Sequence, residues 1–276
     1  MANIKDIINK HARSEDDALF LARLDDKLEQ AGRGQLVSSN FMDPHQRSLA
    51  KRLLTGSSIT YSFDGGYDGA ERAVCLFVPE YLNTSDQTTA SLREVLIQSG
   101  QYPIRLLRVQ HDESKYVNIL THRDYLGALM NLGIRRETLG DILVHRGFAQ
   151  IMVLDKMADY IIGSLTQVSN ASVRVEEEDI LTVEAVNPEV KVVKATVASL
   201  RLDAVLAEGF SLSRGDAAAY IKAGKVALNF EECLSPDARV AEGCTISLRG
   251  MGRMVLEEVG GLSKKNRMFI TIKRFV

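Results

Sequence analysis

No stretch of this 276-residue chain is apolar for long enough to cross a bilayer. The longest clean runs, such as Ala73 to Val78, fall far short of the roughly 18–20 residues that a span needs. The opening MANIKDIINK has no apolar stretch behind its lysines and reads as no secretory signal. Cysteine is scarce: Cys75, Cys233 and Cys244 form no Cys-x-x-Cys pair, and their odd number leaves any disulfide framework with a spare thiol. They are expected to be small apolar side chains in a reducing cytoplasm. The five histidines, His11, His45, His111, His122 and His145, include no i, i+4 pair and no cysteine at zinc spacing, so no metal is expected.

Three near-motifs lack the residues their chemistry requires. His122-Arg123-Asp124 opens like a kinase catalytic loop, but the metal-holding asparagine position is Leu129, and no Asp-Phe-Gly follows. It is expected to start a helix, with Asp124 capping. Asp64-Gly65-Gly66-Tyr67-Asp68-Gly69 has neither a phosphate-loop lysine nor a terminal calcium-binding glutamate, and reads as a hairpin connection. Gly261-Leu262-Ser263-Lys264-Lys265 resembles a tRNA-synthetase mobile loop without the nucleotide-binding sequence that accompanies one; an RNA-facing turn and a solvated turn are both open readings. Ser213 has no histidine partner nearby, and capping suffices for it. No Gly-rich loop after a strand suits a methyl-donor cofactor. No catalytic residue and no cofactor are therefore expected.

What is present is ordinary globular composition, 45% apolar and 25% charged, with room for two or three domains. The net charge of −2 conceals an asymmetry: residues 196–276 hold twelve Lys/Arg and nine Asp/Glu, whereas residues 1–195 hold 22 and 27. Such asymmetry hints at nucleic-acid contact.

Helical spacing links Leu19, Phe20, Leu24 and Leu28. Asp43-Pro44 starts a second helix, with Asp as N-cap and Pro at the first position, running to Leu54 before Gly56. Ile59–Phe63 and Val74–Val78 read as strands joined by the Gly-rich connection. Next come strands at Ile104–Val109 and Tyr116–Leu120, a helix over Asp124–Leu132 and a hairpin, Asp141–Val144 with Ala149–Leu154, around Arg146-Gly147. A short helix over 155–165 and a strand at Ser172–Glu176 complete the series. Strands mixed with two helices suit an α+β sandwich of the ferredoxin-like, RNA-recognition-like type. The predicted domains are a mostly helical segment with a short hairpin (1–71), the central sandwich (72–182) and a C-terminal domain (190–276).

The last domain starts with two short helices. Leu202, Val205 and Leu206 share a face, Phe210 follows just beyond the end, and Gly209 is the expected terminator. Either Ser211 or Ser213 caps the second helix, with Asp216 as the capping-box acid. Ala218, Ile221 and Tyr220 are assigned to its inner face, and Gly224 ends it. Val226–Leu228 is a strand, and Asn229 opens a turn. A helix start beside Arg214 attracts phosphate through its backbone N–H groups and the macrodipole. Lys222 and Lys225 flank the other end. After Gly243 and the strand Thr245–Leu248, Arg249-Gly250-Met251-Gly252-Arg253 is expected to be a flexible basic loop whose glycines permit close approach to a ligand. Arg201 has two possible fates, RNA contact or an ion pair with Asp203.

These residues resemble a known family. Arg201-Leu202-Asp203, Leu206, Ser213-Arg214, Ile221, Gly224-Lys225-Val226 and Asn229, followed by Gly243 and Arg249-Gly250, are similar to the domain of ribosomal small-subunit protein four, the S-four domain. Phe230, where glycine often completes an Asn-Gly turn, and Cys244, where an acid is usual, depart from it. Upstream, Thr121-His122-Arg123-Asp124, Leu126-Gly127-Ala128-Leu129-Met130, Leu132-Gly133-Ile134 and Gly140-Asp141-Ile142-Leu143-Val144 look like the YlmH-type proteins. The resemblance spans about residues 70–276.

It implies a non-catalytic, cytoplasmic bacterial factor that binds structured RNA, both rRNA and tRNA, on the large ribosomal subunit. It further implies a part in quality control, where stalled nascent chains receive alanine tails, and a link to cell division. The RNA-binding set it suggests is Arg201, Ser213, Arg214, Lys222, Lys225, Asn229, Arg249, Gly250 and Arg253. Two alternatives stand beside it: an RNA-modifying enzyme with an appended S-four domain, and a cell-division-linked adaptor.

Overall fold

The computed structural model describes residues 12, 14–82, 88–111, 120–185 and 190–275. The chain divides into two compact units, Met1–Val186 and Asn187–Val276.

In the first unit, α1 (Glu15–Gly32) begins where the Ser14 hydroxyl accepts the Asp17 N–H at 3.1 Å. Three acidic residues, Glu15, Asp16 and Asp17, complement the positive end of the helix. Its inner stripe is Leu21 and Leu24, while Leu19 is 50% exposed and lies off it. β1 is Val37–Ser38. α2 (Pro44–Leu54) starts as expected, and its box is reciprocal: Asp43 accepts the Gln46 N–H at 2.8 Å, and Gln46 Oε1 accepts the Asp43 N–H at 3.1 Å.

β2 (Thr60–Asp64) and β3 (Val74–Val78) form the expected antiparallel hairpin, and β1 pairs with the other edge of β3. β3 is thus the central strand of the N-terminal sheet and lies beyond the boundary expected after residue 71. All five of its residues are buried. Cys75 and Phe77 face a cluster with Leu21, Leu24 and Leu49, while Val74, Leu76 and Val78 join the cluster of Ile104, Leu106 and Met152. A continuous apolar strand needs cover on both faces, so it joins two layers rather than marking a break between them. Burial pushes the Cys75 thiol pKa up, which keeps it protonated and inert.

α3 (Thr89–Gln98) was not among the expected helices; only Leu92 and Leu96, one turn apart, anchor it. Its Arg93 forms two-pronged hydrogen bonds with the buried Asp64 carboxylate at 2.8–3.2 Å, and the Tyr102 hydroxyl donates to the same group at 2.8 Å.

The central elements are β4 (Ile104–His111), α4 (His122–Asn131), β5 (Leu139–Val144), β6 (Phe148–Leu154), α5 (Asp155–Ser164), β7 (Gln167–Val168) and β8 (Ala171–Glu178). The sheet order is β5-β6-β4-β8-β7. Two strand–helix–strand passes therefore place their first strands, β4 and β6, side by side at the centre, the ferredoxin-like arrangement. The strand expected at Tyr116–Leu120 falls outside the described residues except for Leu120, which is buried outside any strand.

The helices cover one face of this sheet, where Leu107, Val109, Ile151 and Val153 meet Tyr125, Leu129, Ala158 and Ile161. Half of the other face, carrying Ile104, Leu106, Met152 and Leu154, packs against Phe41, Val74, Leu76, Leu92 and Leu96. Asp141 on β5 ties the hairpin connection down by accepting from the Tyr67 hydroxyl and from the N–H groups of Glu71 and Arg72 at 2.7–3.0 Å. Asp124 supports its helix start from the first turn rather than as the cap: its carboxylate accepts from both the N–H and the hydroxyl of Thr121 at 2.7 Å.

In the second unit, β9 (Val190–Val197), α6 (Leu202–Phe210), α7 (Arg214–Lys222), β10 (Val226–Leu228), β11 (Glu231–Glu232), β12 (Thr245–Leu248), β13 (Gly252–Leu262) and β14 (Met268–Phe275) build an antiparallel sheet of order β11-β10-β12-β13-β14-β9. Leu202, Val205, Leu206, Ala217 and Ile221 pack against Val226, Ile246, Met254, Leu256 and Ile272. Gly209 does not end α6. It lies inside the helix, where a Cβ would stand 2.1 Å from Met254 Sδ, so glycine is needed for close approach to β13. The helix ends instead at Ser211, in the left-handed conformation (φ 56°).

Replacing Asp64 by Ala leaves the largely buried Arg93 guanidinium without its buried counter-charge, with the exposed Asp68 at 3.6 Å remaining. We expect a loss of about 3–5 kcal/mol of unfolding free energy, measured by urea denaturation of the full chain.

Candidate nucleic-acid interface

The start of α6 is closed. The N–H groups of Leu202 and Asp203 donate to the carbonyls of Ala238 and Pro236 at 2.8 and 2.9 Å. The start of α7 is the open one. Ser213 caps it, settling the choice against Ser211, and its hydroxyl accepts the Asp216 N–H at 3.1 Å while donating to the Asp216 carboxylate at 2.7 Å. The Ser213 hydroxyl is thereby committed to the cap. Ala217, not Ala218, is the buried alanine beside Ile221, one helical turn away.

The two helices are joined electrostatically through Asp203. Its carboxylate, on a residue only 6% exposed, accepts from Arg201 Nε at 3.1 Å, a second Arg201 nitrogen at 3.2 Å and Arg214 at 2.8 Å. Burial opposes ionisation of Asp203, but the hydrogen bonds from Arg201 and Arg214 outweigh it and hold the carboxyl below the usual carboxylate range. Both arginine side chains stay open to solvent, 44% and 59% exposed. Both fates considered for Arg201 are thus compatible, since the pair with Asp203 positions the guanidinium without burying it. Two cations thus share the Asp203 anion beside the open helix start, with the Asp216 carboxylate on the Ser213 cap and Asp237 acting on Arg201.

The far end of α7 is also basic. Gly224 takes a left-handed turn (φ 67°), and the Lys225 N–H returns to the Tyr220 carbonyl at 3.1 Å. The Lys225 ammonium lies 5.4 Å from the centre of the Tyr220 ring. The Arg249 N–H donates to the Lys225 carbonyl at 2.9 Å, which brings these two residues together across the sheet end. Lys222, the last residue of α7, is exposed.

The expected flexible loop is a tight turn. Leu248 pairs with Gly252, the Met251 N–H donates to the Leu248 carbonyl at 2.9 Å, and Gly250 sits at the tip with φ 87°. Arg253 is already in β13, opposite Ser247, alternating with the buried Met254. It therefore points to the sheet face away from α6 and α7, where its guanidinium lies 4.6 Å from the Phe275 ring centre. Asn229 is used internally: its Oδ1 accepts the Thr245 N–H at 2.9 Å and its Nδ2 donates to Cys244 Sγ at 3.3 Å. Both Asn229 (φ 50°) and Phe230 (φ 68°) are left-handed, so Phe230 adopts the backbone that glycine would take there.

The fold therefore gathers Arg201 with Arg214, and Lys225 with Arg249, while turning Arg253 to the opposite face. It also adds Arg239, an exposed residue that pairs by a β-bridge with Arg201. Nothing local marks Arg239 in the sequence; only the return of residues 236–240 along the start of α6 places it there. Among the described residues, no group of three His, Cys, Asp or Glu is arranged to hold a metal, and no helix is long and apolar enough to cross a membrane.

Fold and site together define a mixed α+β protein that ends in an S4 domain. The S4 domain family model matches residues 200–246, and the model described as "Putative RNA-binding domain in YlmH" matches residues 98–182. A protein named ribosome-associated protein quality control protein P2, from Bacillus subtilis (strain 168), is 30% identical over 269 residues, covering 97% of this chain and 98% of that protein. The chain belongs to the YlmH family. Among solved structures, the cell division protein ylmH from Streptococcus pneumoniae is 25% identical, aligned over 61% of this chain and 94% of its own, with a TM-score of 0.46.

The Asp203 arrangement has a pH signature. Its folded pKa is depressed, so its contribution is complete above the unfolded value of about 3.9 and is lost as pH falls through the folded value. Asp203→Asn is expected to cost about 1–2 kcal/mol at pH 7. The gap from wild type should close as pH drops below about 4, followed by urea denaturation across a pH series. Phe230→Gly is expected to stabilise the protein by about 0.5–1 kcal/mol by relieving the left-handed backbone, measured in the same assay.

Proposed function

We propose that this protein is an RNA-binding factor of the ribosome that carries out no chemical step of its own. It grips structured rRNA and tRNA on the large subunit through its S4 domain, and acts in quality control of stalled translation by supporting alanine tailing. The observation that carries the reading is the convergence of Arg201 and Arg214, from the starts of two helices, on the single Asp203 carboxylate, with both guanidinium groups exposed. That arrangement presents two exposed guanidinium groups and open N–H groups where a phosphate is favoured. Lys222, Lys225 and Arg249 extend the basic surface at the other end of α7, and Arg239 extends it beside Arg201. The relative named for ribosome-associated quality control matches nearly end to end and supports the same assignment.

Phosphate contacts make affinity fall steeply with salt, by roughly one unit of log–log slope for each contact. The double variant Arg214→Ala, Lys225→Ala removes a cation from each end of α7 and leaves the core intact. We expect weaker co-sedimentation with ribosomes and a salt slope shallower by about two. A folded double variant that co-sediments like wild type would falsify the assignment of this face.

A further inference from the structure

Beside the Asp203 cluster, a cleft of about 370 Å³ opens in the second unit. Its walls are the segment 198–201 leading into α6, the returning residues Asp237 and Arg239, and Met268 at the start of β14. Ala198, Leu200 and Met268 give it an apolar lining, and Arg201, Arg239 and Asp237 are its charged groups. A contact made through phosphate alone would use the cations and leave the apolar lining and the carboxylate without a role.

Two features point to a ligand. The first is charge. Arg201 and Arg239 face each other across an antiparallel bridge, fixed by 2.8 Å hydrogen bonds from the Leu202 N–H to the Ala238 carbonyl and from the Val240 N–H to the Leu200 carbonyl. Such a pair holds its Cβ atoms about 5 Å apart, and like charges there repel. Asp203 offsets Arg201, and Asp237 acts on Arg201 as well. Arg239 is exposed, and among the described residues no carboxylate is bonded to it. The second feature is geometry. Arg201 meets Asp203 through two in-plane hydrogen bonds, from Nε at 3.1 Å and a terminal nitrogen at 3.2 Å. Bonds along the edge fix the guanidinium plane and leave its faces unused, and no aromatic ring covers them among the described residues. At the same cleft the Ser235 hydroxyl donates to Asp237 at 2.6 Å and holds that carboxyl below the usual range, so the exposed Asp237 side chain is an anion that only accepts.

We propose that this cleft takes the base of one unpaired guanosine of the bound RNA, stacked on the Arg201 guanidinium beside Met268 and Leu200, with its Watson–Crick edge on Asp237 and its phosphate drawn to Arg239. The site rests on the RNA-binding reading above and adds base selection to it. Unpaired bases are held by stacking on guanidinium planes and by hydrogen bonds along their Watson–Crick edges. Guanine alone among the four RNA bases carries two adjacent donors there, N1–H and the N2 amino group, which match the two oxygens of a carboxylate. Adenine and cytosine set an acceptor nitrogen beside their one amino group, and uracil sets carbonyls beside its one N–H. Each would turn a lone pair toward the Asp237 anion.

The test uses the full chain and short, fluorescently labelled oligouridylates carrying one central guanosine, adenosine or inosine, with binding read by anisotropy. The guanosine strand should bind about tenfold more tightly than the adenosine strand. Inosine, which lacks only the N2 amino group, should fall between them. Asp237→Asn, at an exposed position, removes one of the two acceptors and should abolish the guanosine preference without weakening the adenosine strand, a split that loss of structure would not produce. Arg239→Ala should weaken all three strands alike, keep the preference and make the salt slope shallower by about one. Failure of the wider RNA-binding assignment reads separately, in ribosome co-sedimentation of the Arg214→Ala, Lys225→Ala variant. The proposal is overturned if wild type binds the guanosine strand no better than the adenosine or inosine strand, if it binds none of them, or if a folded Asp237→Asn protein keeps the preference. The inosine comparison needs no variant and decides the matter if Asp237→Asn does not fold.

Discussion

The functional reading depends on one carboxylate. Asp203 is buried in the first turn of α6, and an ionised group there needs hydrogen-bond donors. It obtains them from Arg201, immediately before its own helix, and from Arg214, in the first turn of the next. The same bonds that satisfy the acid fix the direction of two long, flexible side chains. Side-chain entropy that phosphate binding would otherwise have to overcome is therefore partly removed in advance. Because two cations share one anion, both guanidinium groups stay exposed while they are held.

A second constraint shapes the N-terminal unit. A mixed sheet-and-helix layer has two faces, and each apolar face must be covered. Helices α4 and α5 cover one face of the central sheet. Strand β3, with Phe41 and α3, covers half of the other. A surface that RNA-recognition folds leave open for bases is here largely core. The buried Asp64–Arg93 pair and the Asp141 acceptor cluster, both at the ends of the β2–β3 connection, hold the covering layer in register.

Much of this was legible along the chain because the signals are local. Asp43-Pro44 announces α2 through cap chemistry that acts over three residues. Asp141–Val144 and Ala149–Leu154 read as paired strands, and Arg146-Gly147 announces their turn. The spacing from Arg201 through Gly224-Lys225-Val226 identified the C-terminal domain and most of its basic residues. The misses share a cause. Gly209 was read as a helix stop because glycine usually is one, whereas its role depends on Met254, 45 positions away. α3 escaped notice because two leucines one turn apart are too short a pattern to specify a helix.

The sequence alone determined many of the elements, the α+β class, the basic bias of the last eighty or so residues and the family resemblance, since these are set by composition, short-range periodicity and motif spacing. Which cations act together was decided only by tertiary structure. Arg239 reaches Arg201 through a returning segment, and Arg249 reaches Lys225 through strand pairing, while Arg253 is turned to the far face by the two-residue period of a strand. No local rule carries that information, because pairing register and the choice of which sheet face is buried are settled by contacts between residues distant in the chain.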